Sequence, residues 1–255
     1  MNNTLRQTGR FIWNYSIFFS FCLLLVFNAS ASVQVDPGTE QTLSGNKIFT
    51  WEKLAGNEVT EAGVTIPFAV LENPPIEPGS GPAGAIAVVD FSQIVRNTTF
   101  LNHFELNWEK DGHEPPVFMV PHFDFHFYNI PPSEVFKISA PDPQPPRANL
   151  IPEGYIYPGA EHTIPQMGVH AVRPADLERP FTDVLIFGYY GGNMTFIEPM
   201  VTRSALLKQQ PVTYTVPVPP AMGKTTRFPT KFRIEHDVQA KACRLIFSHF
   251  TTTTP

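Results

Sequence analysis

The segment Pro121-His122-Phe123-Asp124-Phe125-His126-Phe127-Tyr128 decides the fold, because aromatic and titratable side chains alternate from His122 onwards. A period of two is that of a β-strand, in which successive side chains point to opposite faces of the sheet. The predicted strand has a hydrophobic face of Phe123, Phe125 and Phe127, and a titratable face of His122, Asp124, His126 and Tyr128. A helix would also align His122 with His126, but Pro121 and the phenylalanines favour a strand.

Patterns of the same kind continue on both sides of this segment. Runs of β-branched and aromatic residues between turn clusters predict strands near residues 48–54, 64–71, 85–94, 100–108, 117–128, 184–190, 194–201, 212–218 and 232–250. Gly191-Gly192-Asn193 predicts a hairpin between two of them. Two short helices are predicted, from Glu134 to Ile138 and from Arg203 to Gln209. We therefore expect an all-β fold with minor α content, a single antiparallel β-barrel-like or sandwich-like domain.

The composition excludes several classes of protein. The 255 residues include 27 prolines, which disfavour a helical bundle, and 22 phenylalanines, which give the chain enough apolar surface to fold. The net charge of −5 with only 16% charged residues is unlike a nucleic-acid-binding protein, so no nucleic-acid partner is expected.

The N-terminus has the pattern of a signal peptide. Arg6 and Arg10 precede an apolar stretch at residues 17–27, and Ala29-Ser30-Ala31 is a small-x-small cleavage site. The stretch is shorter than the roughly 20 residues of a membrane span, so stable membrane insertion after cleavage is not expected; an uncleaved anchor is the alternative. We predict a secreted or periplasmic protein with a signal peptide at 1–31, a polar segment at 32–45, a β-rich domain at 46–250 and a disordered tail at 251–255.

Two features of the remaining chain bear on function. Cys243 is the sole cysteine after residue 31, and its alternation with Leu245 and Phe247 predicts a small buried hydrophobic residue. The stretch 141–165 is rich in proline and predicts an extended connection without regular structure, a kind of loop that often covers a functional site. It leads directly to His170.

Imidazoles and carboxylates along the chain suggest a metal site. On a regular strand His122 and His126 lie roughly 13 Å apart, so both cannot easily bind one ion unless the strand bulges. His170 and Glu198 are further donors, and Glu198 has apolar neighbours that make an unpaired charge costly. Sets of imidazoles with one carboxylate bind zinc, copper, iron or manganese.

Two other interpretations of the titratable row stay open at this stage. The row could be the solvated face of an edge strand, or a hydrogen-bonded internal network without an ion. The other histidines are interpreted as surface or packing residues: His103, His113, His162, His236 and His249.

A family resemblance adds to this interpretation. The segments PHFDFHFYNIPPSEV (121–135), IPQMGVHAV (164–172), FTDVLIFGYYGGNMTFIEPMVT (181–202) and FPTKFRIEHDVQAKACRLIF (228–247) carry it. Over residues 45–250 the chain resembles a family of secreted domains of unknown function, named after a Thermus protein under extracytoplasmic sigma-factor control. The resemblance implies that His122, Asp124, His126, His170 and Glu198 share one pocket, and it implies no reaction.

The resulting functional hypothesis is a secreted protein that binds a divalent transition metal or a small polar ligand in this pocket. Tyr128 would orient a donor from behind the ligands. The alternative is a non-catalytic, homo-oligomeric interaction protein of the stressed cell envelope, in which the histidines are structural.

Overall fold

The described part of the chain contains twelve strands and five short α-helices. The computed structural model describes Met1 and residues 34–255, so the predicted signal peptide, Met1 apart, lies outside the described residues. The strands are β1 Gln34–Leu43, β2 Asn46–Ala55, β3 Glu58–Pro67, β4 Ala87–Asp90, β5 His103–Glu109, β6 His122–Tyr128, β7 Val169–Ala171, β8 Asp183–Tyr190, β9 Asn193–Thr202, β10 Val212–Thr215, β11 Thr226–Asp237 and β12 Ala242–Thr253. The helices are α1 Phe68–Glu72, α2 Gln93–Thr98, α3 Pro132–Val135, α4 Pro174–Leu177 and α5 Arg203–Leu207.

The strands form two six-stranded antiparallel sheets. The first sheet has the order β1-β2-β3-β12-β11-β10, and the second has the order β4-β5-β6-β9-β8-β7. Neither sheet closes on itself within residues 34–255, so the sandwich-like form of the prediction is confirmed and the barrel-like form is not. Strand β6 is an interior strand of the second sheet, between β5 and β9.

The main hydrophobic core contains side chains from both sheets. Phe123, Phe125 and Phe127 of β6 are fully buried in it, as the alternation predicted. The ring centroids of Phe127 and Phe247 on β12 are 4.8 Å apart in an edge-to-face contact. Burial of each phenylalanine side chain stabilises the fold by about 1.5–3 kcal/mol. The phenylalanine face of β6 therefore packs against this core.

The opposite face of the second sheet is also covered. Phe118, from the β5–β6 connection, packs with Ile186 and Met200, and Val135 of α3 and Ile138 pack with Phe196. As a result all seven residues of β6 are buried. The interpretation of the titratable row as a solvated edge strand is therefore wrong.

Several elements differ from the predicted ones in their ends. The runs predicted as strands at 64–71 and 85–94 end in helices α1 and α2. With α4, which was also not predicted, residues 34–255 form five α-helices where two were predicted. The run at 232–250 is a hairpin, because residues 238–241 separate β11 from β12. The predicted polar segment contains β1, and β12 continues to Thr253 in the predicted disordered tail. Short 3₁₀ turns at Ala148–Leu150 and Ala160–His162 interrupt the proline-rich connection.

Two further observations concern helices and the cysteine. None of the helices described is long and apolar enough to cross a membrane. Cys243 is fully buried, as predicted, and burial raises the pKa of its thiol to about 12.

Candidate functional site

Titratable side chains on the covered face of the second sheet form two groups that could each hold a metal ion. The inner triad is His126, His170 and Glu198, and the outer triad is His113, His122 and Asp124. Within each triad one ligand atom per residue lies within 4.8 Å of the other two. Each triad has two imidazoles and one carboxylate, a donor set used by zinc and by non-haem iron.

Three neighbouring strands and one short strand position the inner triad. The β6–β9 register, which pairs Asp124 with Met200, sets His126 opposite Glu198. His170 comes from β7, at the end of the proline-rich connection, and pairs with Gly188 of β8. The predicted delivery of a distant histidine to the strand row is thus seen in the structure.

Gly188 lets His170 reach across β8. A Cβ atom at Gly188 would lie 1.9 Å from a carbon of the Phe196 ring, so this ring occupies the space that a side chain would need. The Phe196 ring in turn contacts both imidazoles, with centroid distances of 4.9 Å to His126 and 5.1 Å to His170. Phe196 therefore fixes the planes of the two imidazoles.

The distances in the inner triad suit a shared ion better than hydrogen bonds. Nε2 of His126 lies 3.5 Å from Oε1 of Glu198, and Nε2 of His170 lies 3.4 Å from Oε2. Ligand atoms on one tetrahedral zinc ion are separated by about 3.3 Å, given metal–ligand bonds of about 2.0–2.1 Å. Both ring nitrogens of His126 and Oε2 of Glu198 are buried without a hydrogen-bond partner among the described residues.

Burial sets the charge states of the inner triad. It lowers the pKa of His126 to about 3 and that of His170 to about 4, so both imidazoles are neutral at pH 7. Burial, together with the charges of Asp124 and Glu109, raises the pKa of Glu198 well above its usual range. Neutral imidazole is the form that binds metals, whereas Glu198 must lose its proton on binding.

The outer triad combines two strand residues with one loop residue. His122 and Asp124 belong to β6, and His113 lies in the loop between β5 and β6. The Nε2 atoms of His113 and His122 are 3.1 Å apart. The Asp124 carboxylate lies 3.1 Å from Nε2 of His122 and 3.6 Å from Nε2 of His113.

The outer triad has the opposite electrostatic character. Burial alone would lower the pKa of His113, but the hydrogen bond to Asp124 and its charge raise that pKa to about 9. Although burial opposes it, the two histidines hold the pKa of Asp124 well below its usual range. The Asp124 carboxylate therefore favours a positive charge on the neighbouring His113.

The five predicted donors fall into two ligand groups and not into one. Asp124 and His122 belong to the outer triad, and the other three form the inner triad. The division follows the spacing argument, since a regular β6 holds His122 and His126 too far apart for one ion. Tyr128 touches the site by ring stacking on His126, with centroids 5.6 Å apart, and its hydroxyl has no partner within the described chain.

His113 is a ligand candidate that the sequence interpretation missed. It was classed with the surface and packing histidines, yet its side chain is only 37% exposed and meets two other donors. A usable signal existed, because β5 and β6 are antiparallel neighbours and the connection between them, residues 110–121, contains no other strand. Such a connection returns its residues to the start of the second strand, where His122 lies.

Comparisons with protein-family models, with curated proteins and with solved structures each gave no match for this chain. The resemblance to the secreted family therefore stays a prediction.

Proposed function

We propose that this protein binds a divalent transition metal ion, zinc, iron, manganese or copper, at His126, His170 and Glu198. The observation that carries the proposal is the His126 ring, which is fully buried while both its nitrogens lack a hydrogen-bond partner among the described residues. Leaving one buried polar atom unsatisfied costs about 1–3 kcal/mol. A metal ion between Nε2 of His126 and the Glu198 carboxylate would remove part of this cost.

A hydrogen-bonded network without an ion accounts less well for the same atoms. A protonated Glu198 has one proton to donate, so it could serve His126 or His170 but not both. The second imidazole could donate from Nε2 to the other carboxyl oxygen, but the two nitrogen–oxygen distances of 3.5 and 3.4 Å are long for hydrogen bonds. One dication satisfies all three groups at once, which favours metal binding over the network.

The arrangement leaves room for chemistry at the ion. Three protein ligands leave at least one coordination position for water or substrate. When bound, the metal would act as a Lewis acid and lower the pKa of a coordinated water. The His170 side chain is 18% exposed, which marks the side from which a small polar ligand would approach.

The proposal includes secretion but not self-association. The pattern at residues 1–31 supports export of the metal-binding domain. The oligomeric interaction protein with structural histidines is less well supported, because a structural role would leave the His126 nitrogens unpaired among the described residues.

The test is the metal content of the untagged chain and of single variants. We expect His170→Ala and Glu198→Gln each to lower the bound metal by about one ion per chain, because each removes one of three protein ligands. His162→Ala is the matched control, since this side chain is 61% exposed and lies outside both triads. Elemental analysis after dialysis reads the result, with circular dichroism to verify folding. Full metal content in folded His170→Ala and Glu198→Gln would refute the proposal.

A further inference from the structure

We infer a second metal site in the same chain: the outer triad of His113, His122 and Asp124 binds a divalent transition metal ion that exchanges with solvent. The inference goes beyond the proposed function, because the two triads share no ligand.

Backbone contacts fix the orientation of both outer imidazoles. Nδ1 of His113 donates to the Glu114 carbonyl oxygen at 2.7 Å, and Nδ1 of His122 donates to the Val120 carbonyl oxygen at 2.6 Å. A carbonyl oxygen only accepts, so each Nδ1 carries a proton, and Nε2 is the atom through which each ring would bind a metal ion after releasing any proton held there. Hydrogen bonds of this kind orient metal-ligating histidines in proteins.

The two Nε2 atoms lie close to each other and to a carboxylate. The Nε2 atoms of His113 and His122 are 3.1 Å apart, and Oδ1 of Asp124 lies 3.1 Å from Nε2 of His122. The Asp124 side chain is only 3% exposed, and its buried Oδ1 has no hydrogen-bond partner in the described chain. Separations of about 3.0–3.3 Å are those of neighbouring ligands on one octahedral or tetrahedral ion.

A proton is the competing occupant of this space. A single extra proton bridges the two imidazoles or one imidazole and the carboxylate, but it cannot satisfy three acceptors. A dication contacts all three. The β5–β6 register adds Glu109 opposite His122, so a second acidic group faces the triad and favours two positive charges over one.

The outer triad is accessible, unlike the His126 side of the inner triad. His113 is 37% exposed. A separate cavity of about 480 Å³ is lined by Trp108, Glu109, Gly112 and residues between α1 and β4, and not by the three ligands of the triad. Solvent therefore reaches an ion held by the triad past the partly exposed His113 side chain. We therefore expect it to exchange faster than the inner ion.

Cobalt binding to the untagged chain tests the inference. Titration of the chelator-treated protein with Co²⁺ should show two binding events, and EDTA should remove one ion much faster than the other. His113→Ala should weaken the faster-exchanging site by more than about 100-fold, because loss of a ligand exceeds loss of a supporting contact. Asp124→Asn, which keeps the shape of the side chain, should weaken the same site, and His162→Ala should change neither.

The outcomes separate this inference from the proposed function. One cobalt ion per chain that is insensitive to His113→Ala and Asp124→Asn but sensitive to His170→Ala would overturn the second site and leave the inner site standing. One cobalt ion that is sensitive to His113→Ala and Asp124→Asn but insensitive to His170→Ala would overturn the inner site alone. A chain that binds no cobalt would refute both. Since His113 is partly exposed and on a loop, its variant should fold, which circular dichroism verifies.

Discussion

A buried histidine–carboxyl pair beside the triads shows how single residues respond to this environment. Nε2 of His103 lies 2.9 Å from Oε1 of Glu105, and both side chains are buried. Burial lowers the pKa of His103 to about 3 and raises that of Glu105 to about 9. The pair is therefore neutral at pH 7, joined by a hydrogen bond between Nε2 of His103 and Oε1 of Glu105.

This neutral pair gives Glu105 a predictable effect on stability. In the unfolded chain Glu105 ionises near pH 4.5, whereas in the folded chain it keeps its proton to about pH 9. Its contribution to the free energy of unfolding is thus complete below pH 4.5 and falls as pH rises through that window, by up to about 1.4 kcal/mol per pH unit. Glu105→Gln mimics the protonated acid, so the variant should gain stability over the parent progressively from pH 5 to pH 8.

Urea unfolding of both proteins with chelator present measures this difference. Identical pH profiles would show that Glu105 is ionised in the folded state.

At the scale of residues, the sequence predicted what depends on one strand alone. The alternation assigned Phe125 to the core and His126 to the opposite face, and both assignments are confirmed. It could not predict the partners, because these come from other elements. His113 comes from a loop, and Glu105 from the neighbouring strand.

At the scale of elements, the β8–β9 hairpin controls the inner triad through Gly188. Gly188→Ala should displace the Phe196 ring and with it the two imidazoles that the ring contacts. We expect a loss of about 1–3 kcal/mol in stability and a 10–100-fold weaker inner metal site. Calorimetry and metal titration measure the two effects.

A second substitution provides the control for this steric argument. Phe196→Leu in the Gly188→Ala background should recover part of the lost stability, because the smaller side chain leaves room for the new methyl group. No recovery in the double variant would contradict the proposed clash.

Elements were predictable where their own residues determine them. The hairpin at Gly191-Gly192 formed as predicted, since turn chemistry is local. Strand β1 was missed because its polar sequence lacks the alternation of apolar residues that predicts a strand. It forms through backbone pairing with β2. Helix α2 was missed although Ser92 caps it, accepting a hydrogen bond from the Val95 amide.

At the scale of the whole molecule, bound metal should raise thermal stability. An ion at 100 times its dissociation constant adds about 2.7 kcal/mol to the free energy of unfolding. For a domain of this size that corresponds to a Tm increase of roughly 5–10 °C. Zn²⁺ should therefore raise Tm, whereas Mg²⁺, which prefers oxygen ligands, should not.

Differential scanning calorimetry of the chelator-treated chain measures the shift. The shift should disappear in the double variant His113→Ala, His170→Ala, and an equal shift in that variant would place the stabilising ion elsewhere.

The global arrangement was predictable only in class. Apolar alternation and many turns predicted antiparallel sheets, and the sandwich is confirmed. The order of strands was not predictable, because β3 pairs with β12 and β6 pairs with β9 across long stretches of sequence. Those pairings decide which titratable residues become neighbours.

The two-faced burial of β6 also bears on how reliably the chain folds. A slip of β6 by one residue against its neighbours would turn every side chain to the opposite face. The phenyl rings would then enter the polar layer, and imidazoles with a carboxylate would enter the hydrocarbon interior. The residues that would bind metal thus raise the free energy of the register-shifted sheet. They favour the correct register of β6 even when no ion is bound.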